Sequence, residues 1–125
     1  MMRSEYMNQK RRDLVDLLAE GYLSEHEAKC LIYIADKDDV ESRELENVLY
    51  LRQPEVSIAV QGLVDKGLIG KHEKNKDGRG RPTKIYNLER PIEEVIDDVV
   101  EDLESRIENL RDKKIELKEL RADLF

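Results

Sequence analysis

Apolar positions along this 125-residue chain fall into six blocks, four with helical spacing, one strand pair and one long helical run. Over residues 5–20, Leu14, Leu17 and Leu18 recur at helical intervals with Val15 beside them, and Gly21 ends the block. Ser24-Glu25-His26-Glu27 follows. Ser24 is a good N-cap, and Glu27 three residues on completes a capping box. The pattern predicts a second helix to about residue 35, with Ala28, Leu31, Ile32 and Ala35 inward, and then a polar loop over 36–40. Ser42 is expected to cap a short third helix over 43–50 that buries Leu45, Val48 and Leu49. Leu51-Arg52-Gln53 reads as a tight turn. Pro54 suits the first turn of a fourth helix, where its missing N–H costs nothing. That helix is expected to reach Lys66, with Val56, Val60 and Leu63 as one buried stripe and Gly67 as its stop.

The spacing changes after Gly67. Residues 68–74 and 83–88 read as two strands, with Leu68, Ile69, Ile85 and Tyr86 returning to the core. Between them, Asn75-Lys76-Asp77-Gly78-Arg79-Gly80-Arg81-Pro82 has the Gly and Pro content of a loop, not of a strand interior. The pair is a hairpin with a long basic tip. From residue 92 to the end there is neither Gly nor Pro, and helix formers dominate. Ile96, Leu103, Leu110, Leu117 and Leu124 stand seven apart, with Val99, Ile107 and Leu120 beside that seam. A sevenfold repeat predicts a left-handed coiled coil with a second helix. Arg106 and Lys113 interrupt the companion positions in the middle. Such a helix spans about 50 Å at 1.5 Å per residue. The competing expectation is that it folds back on its own domain.

Composition adds that the core must be aliphatic: aromatics are 5% of the chain, with no Trp and one Phe. The formal net charge of −7 argues against nucleic acid until its distribution is read. Residues 91–125 carry 12 Asp/Glu against 6 Lys/Arg, whereas residues 66–90 carry 8 Lys/Arg against 3 Asp/Glu. Screening limits the reach of charge to about 8–10 Å, so the local excess decides phosphate binding. No apolar run approaches the ~18 residues of a membrane span, and no secretory leader is evident, so a cytoplasmic location is expected.

Short helix, tight turn, second helix and hairpin make the order of a winged helix-turn-helix. The predicted class is mainly α with a small β-hairpin (α+β), with a DNA-binding domain over 1–90 and a dimerisation helix over 91–125. The major groove, about 12 Å wide, admits one helix, and a hairpin beside it reaches phosphates or the minor groove. With Val56, Val60 and Leu63 inward, Gln53, Ser57, Ile58 and Gln61 project outward. Gln can bond adenine twice, Ser serves bases or phosphates, and Ile58 can touch a thymine methyl. Arg52 sits in the turn, within reach of a phosphate or a guanine. At the hairpin tip, Arg79-Gly80-Arg81-Pro82 is similar to the core of the AT-hook motif, in which Arg follows the negative potential of a narrow minor groove. Lys71, Lys74, Lys76 and Lys84 flank it. The bland alternatives are a polar exposed helix face and a solvated basic turn.

Three runs carry a family resemblance: Leu51-Arg52-Gln53-Pro54-Glu55-Val56-Ser57, Leu63-Val64-Asp65-Lys66-Gly67-Leu68-Ile69, and Gly80-Arg81-Pro82-Thr83-Lys84-Ile85-Tyr86. Together with Leu23-Ser24-Glu25-His26-Glu27-Ala28 they make residues 10–90 resemble small archaeal winged-helix transcriptional regulators of the TrmB/MarR-like type. The resemblance implies a homodimeric regulator of transcription initiation. Two departures stand out. TrmB regulators also carry a large sugar-binding domain, which these 125 residues do not include, and the fourth helix is poor in Lys and Arg.

Other chemistry is weakly supported. His26 and His72 are far apart and Cys30 is alone, so neither a disulfide nor a zinc site is expected. Cys30 reads as a packed helix residue, with a thiol sensor as the alternative. The acidic stretch from Asp36 to Glu46 lacks the Gly and spacing of an EF-hand loop. No phosphate loop, nucleophile elbow or paired-carboxylate pattern supports catalysis, and no cofactor is implied. The expected function is sequence-specific binding of double-stranded DNA by a homodimeric repressor. The alternative is a winged-helix module that binds protein in a transcription or assembly complex, and nonspecific DNA coating sits poorly with the net charge.

Overall fold

The computed structural model describes residues 8–75 and 80–125. Two compact units divide the chain, Met1–Ile92 and Glu93–Phe125. The first contains α1 (Gln9–Leu18), α2 (Glu25–Ala35), β1 (Val40–Glu41), α3 (Ser42–Leu49), α4 (Gln53–Asp65), β2 (Ile69–Lys74) and β3 (Thr83–Leu88). The second is essentially α5, Ile92–Leu124.

Helix α2 is the centre of the first unit and packs on α1, α3, α4 and β3. Its position explains its composition. Cys30, Tyr33 and Ile34 are buried as well as the predicted Ala28, Leu31 and Ile32, so apolar residues surround the helix instead of forming one stripe. Its start is the capping box read from the sequence. Ser24 Oγ accepts from the Glu27 N–H (3.1 Å), and Glu27 Oε1 accepts from the Ser24 N–H (2.9 Å). Its end is tied to α1 by Arg11 Nε, 2.8 Å from Asp36 Oδ2. Leu31, Ile34, Leu45, Leu63 and Ile69 are fully buried. Each contributes roughly 1.5–3 kcal/mol of hydrophobic stabilisation.

Several local expectations shift. Helix α1 begins at Gln9, capped by Asn8, whose side chain accepts from the Arg11 N–H; residues 5–7 lie outside the described residues. In α1 it is Val15 and Leu18 that are buried, while Leu17 is exposed. Ser42 is the first residue of α3, not its cap; Glu41 holds that place without a side-chain bond. Ala35 and Val48, both read as inward, are only half-buried.

The largest difference is β1. The stretch read as a polar loop ends in a short strand that pairs with β3, Val40 against Tyr86 and Glu41 against Ile85. The sheet therefore has three antiparallel strands in the order β1-β3-β2. Val40 is fully buried, so this edge closes the core. In the hairpin, Ile69 faces Leu88, Lys71 faces Tyr86 and Lys74 faces Thr83. Cross-strand partners share a face, so Tyr86 lies with Val40 and Lys71, while Ile85 lies between Glu41 and His72 on the other face. The hairpin base is fastened to the loop after α2: Asn87 Nδ2 donates to Asp39 Oδ1 and its Oδ1 meets His72 Nε2, both at 3.2 Å.

Helix α5 is continuous over 33 residues. Val95 is buried, Ile92, Ile96 and Val99 are half-buried, and every residue from 100 onward is exposed. No helix among the described residues is long and apolar enough to cross a membrane.

Candidate nucleic-acid interface

The α3–turn–α4 segment sets the geometry. Tyr50 ends α3 in the left-handed region, at φ 56°, ψ 44°. A non-Gly residue there is uncommon and costs on the order of 1 kcal/mol. This single reversal lets Leu51 drop into the core, buried, and brings the chain round to α4 within three residues. Arg52 then stands as the N-cap of α4, with extended backbone. Its N–H donates to Glu55 Oε1 (2.8 Å), and its guanidinium lies 3.6 Å from Glu55 Oε2. The bond from the Arg52 backbone, with its charge adding to it, holds the Glu55 carboxyl below the usual carboxylate range. Glu55 thus caps the helix and restrains Arg52, whose side chain remains 84% exposed.

Helix α4 has two distinct sides. Val56, Ala59, Val60 and Leu63 are buried, whereas Gln53, Ser57, Ile58 and Gln61 are exposed. Ile58 is 75% exposed, an aliphatic side chain left in water on an otherwise polar face. Gln61 is not idle, since its amide donates to Asp65 Oδ1 one turn on (2.9 Å). The C-terminal end of α4 is anchored to α2. Lys66 Nζ lies 3.1–3.2 Å from both carboxylate oxygens of the largely buried Glu27. Gly62 makes room for this bridge: a methyl group there would overlap the Glu27 carboxylate.

On the hairpin, Lys71, Lys74, Arg81 and Lys84 are exposed. Lys84 does not stand alone; it lines an open cleft of about 430 Å³ with Glu41, Ser42, Arg43, Glu46 and Thr83. Lys76 and Arg79, both assigned to the basic tip, lie outside the described residues. Among the residues assigned to a dimer seam, Leu103, Ile107, Leu110, Leu117, Leu120 and Leu124 are exposed, while Ile96 and Val99 are half-buried within one chain.

Sequence reasoning missed Tyr50. It is 75% exposed at the turn leading into α4, beside the assigned face. Nothing in the run Asn47-Val48-Leu49-Tyr50 announces a positive φ, so only the backbone reveals it. Val100 and Ile115, also exposed on α5, were missed as well.

Cys30 is sealed in the core. Burial, and secondarily the charge of Glu27, pushes its thiol up to about 12. A buried, protonated thiol matches the reading of Cys30 as a packed helix residue. Among the described residues no three His, Cys, Asp or Glu side chains gather as a metal ion would require.

A helix–turn–helix with an exposed second helix, followed directly by a sheet whose β2–β3 hairpin carries cationic side chains, is the winged helix-turn-helix fold. Solved structures agree on the fold. TrmBL2, described as an archaeal chromatin protein with a novel mode of DNA binding, superposes with a TM-score of 0.56 at 24% identity over 92% of this chain. A possible transcriptional regulator from Methanosarcina mazei matches at TM-score 0.60 and 18% identity, over 82% of this chain and 86% of its own. MarR matches at 0.55 and 20%, over 87% of this chain and 77% of its own. These neighbours are of the archaeal TrmB-like and MarR type that the sequence resembles. The chain spans 43% of the length of TrmBL2. No protein-family profile matches the sequence, and no curated protein matches it either.

Proposed function

We propose that this protein is a sequence-specific regulator of transcription that binds double-stranded DNA as a homodimer in the cytoplasm and represses by occluding a promoter. The observation that carries the reading is the exposed face of α4: Gln53, Ser57, Ile58 and Gln61 point away from a stripe that is buried beneath them. A helix seated by its own core on one side and offering amides, a hydroxyl and an aliphatic group on the other suits base edges in the major groove. Arg52 and Tyr50 at its entrance take the phosphates. The hairpin, through Lys71, Lys74, Lys76, Arg79, Arg81 and Lys84, supplies the electrostatic share that α4 lacks. The exposed leucines of α5 pair two copies, so that two α4 helices read two half-sites. The fold shared with TrmBL2 and MarR supports a regulator's role. Catalysis forms no part of this reading.

Selection from random duplexes tests it directly. An enriched inverted repeat is expected, bound at about 150 mM salt and not displaced by random competitor. Loss of all binding at that salt, with the protein intact, would instead favour the protein-interaction module.

A further inference from the structure

We propose that two copies of α5 pair antiparallel, in one register, held by acidic residues of the first half of the helix facing basic residues of the second. This rests on the homodimer reading and adds its orientation.

The charge along α5 is lopsided. Residues 92–108 hold eight Asp/Glu and one Lys/Arg, while residues 109–125 hold four Asp/Glu and five Lys/Arg. Parallel pairing would lay the strongly acidic half against its own copy. Antiparallel pairing lays it against the weakly basic half.

The seam makes the argument specific. Starting from Val100, exposed apolar residues follow at alternating steps of three and four: Leu103, Ile107, Leu110. That alternation continues through Lys114, Leu117, Arg121 and Leu124. The stripe therefore has one position filled by Leu103, Leu110, Leu117 and Leu124, and another filled by Val100, Ile107, Lys114 and Arg121; Arg106 and Lys113, read from the sequence as companion seam positions, flank it in this register. In a parallel coil each seam position meets its own copy, so Lys114 would face Lys114 and Arg121 would face Arg121. The flanks would add Arg106 against Arg111 and Lys113 against Lys118. In an antiparallel coil the two kinds of position alternate across the interface. Ile107 then meets Leu110 at the centre, Val100 meets Leu117, and Lys114 meets Leu103. On one flank Glu104 faces Arg111 and Asp97 faces Lys118, each pair occurring twice by symmetry. All four of these side chains are exposed in the single chain. The other flank brings Arg106 near Lys113, but Arg106 is already matched by Asp102 of its own helix, at 2.9 Å.

Nitroxide labels test the orientation. Ser105→Cys and Glu119→Cys are labelled separately on the full chain, where buried Cys30 stays unmodified, and the distance between the two copies of each label is measured. With 1.5 Å per residue, the antiparallel register offsets the two 105 positions by about 10 Å along the axis and the two 119 positions by about 32 Å. The distance at 119 is therefore expected to exceed that at 105 by more than about 10 Å. Equal distances at both sites would overturn the orientation while leaving the dimer. Absence of coupling at both sites, with a monomeric mass in solution, would overturn the dimer itself. The ion pairs have their own check. Arg111→Glu with Lys118→Glu is expected to weaken the dimer at least about tenfold. Adding Asp97→Lys and Glu104→Lys should restore it, and failure of that rescue would exclude the pairing.

Discussion

The first 92 residues and α5 draw on the same aliphatic side chains and treat them oppositely. In the first unit Leu31, Leu45 and Leu63 have no exposed surface; in α5, Leu110, Leu117 and Leu124 are about two-thirds exposed. Composition does not explain this, because Leu is the dominant apolar residue in both. Topology does. Six short elements fold back on one another and close a core around α2, whereas a single helix of 33 residues has no neighbouring element of its own unit to cover its stripe. A leucine at a seven-residue interval therefore reports a different thing from a leucine at a helix–helix contact: the one stands uncovered within its own chain, the other is satisfied at home.

The sharpest way to break the contrast is to strike each region in turn. Leu103→Asp with Leu110→Asp should convert the proposed dimer to a monomer by light scattering while the thermal transition of the first unit stays in place. A persisting dimer would put the interface elsewhere. In the core, Leu31→Ala should lower unfolding stability by about 2–5 kcal/mol in denaturant titration, since the cavity forms where nothing can collapse into it. Alkali offers a milder probe of the same core. The Cys30 thiol is pushed up to about 12, so folding is favoured below the pKa of a free thiol, near 9, and that contribution fades as pH rises from about 9 towards 12. Cys30→Ala should flatten this part of the pH–stability curve, and a thiol reagent should react only on unfolding.

Gly62 tests packing at finer scale. A helical Gly→Ala change ordinarily stabilises by about 1 kcal/mol. Here Gly62→Ala should destabilise by about 1–3 kcal/mol, because it dislodges Glu27 from Lys66 and from its capping bond. In a Glu27→Ala background the same change should turn stabilising, and a double-mutant cycle reads the difference. The smallest effect on stability is expected at the candidate interface. Tyr50→Gly relieves a left-handed backbone and should alter stability by at most about 1 kcal/mol, upward, while DNA affinity falls. Arg81→Ala should lower affinity across all sequences and reduce the salt slope by about one.

What was legible in the sequence follows the range of the interactions involved. Capping signals are local, so Ser24 with Glu27 gave the start of α2 and Pro54 the start of α4. The stripe Val56, Val60, Leu63 gave the buried side of α4, and with it the exposed side. Periodicity found α5 without help. Strand β1 was hidden because its two residues owe their conformation to Tyr86 and Ile85, more than forty positions away. The bridge from Glu27 to Lys66 spans 39 residues and could not be inferred from either end. Leu17 was misplaced because three leucines within one turn and a half leave the helix phase ambiguous, and Val15 decides it only once α2 is in place. The turn at Tyr50 escaped because φ is positive without glycine.

The carboxylate of Glu27 has a mechanical consequence. It closes the first turn of one helix and holds the residue that ends another, so the turn at Tyr50 fixes one end of α4 and the start of α2 fastens the other. A single carboxylate thus serves two helices at once, and its loss would loosen the start of α2 and the far end of α4 together.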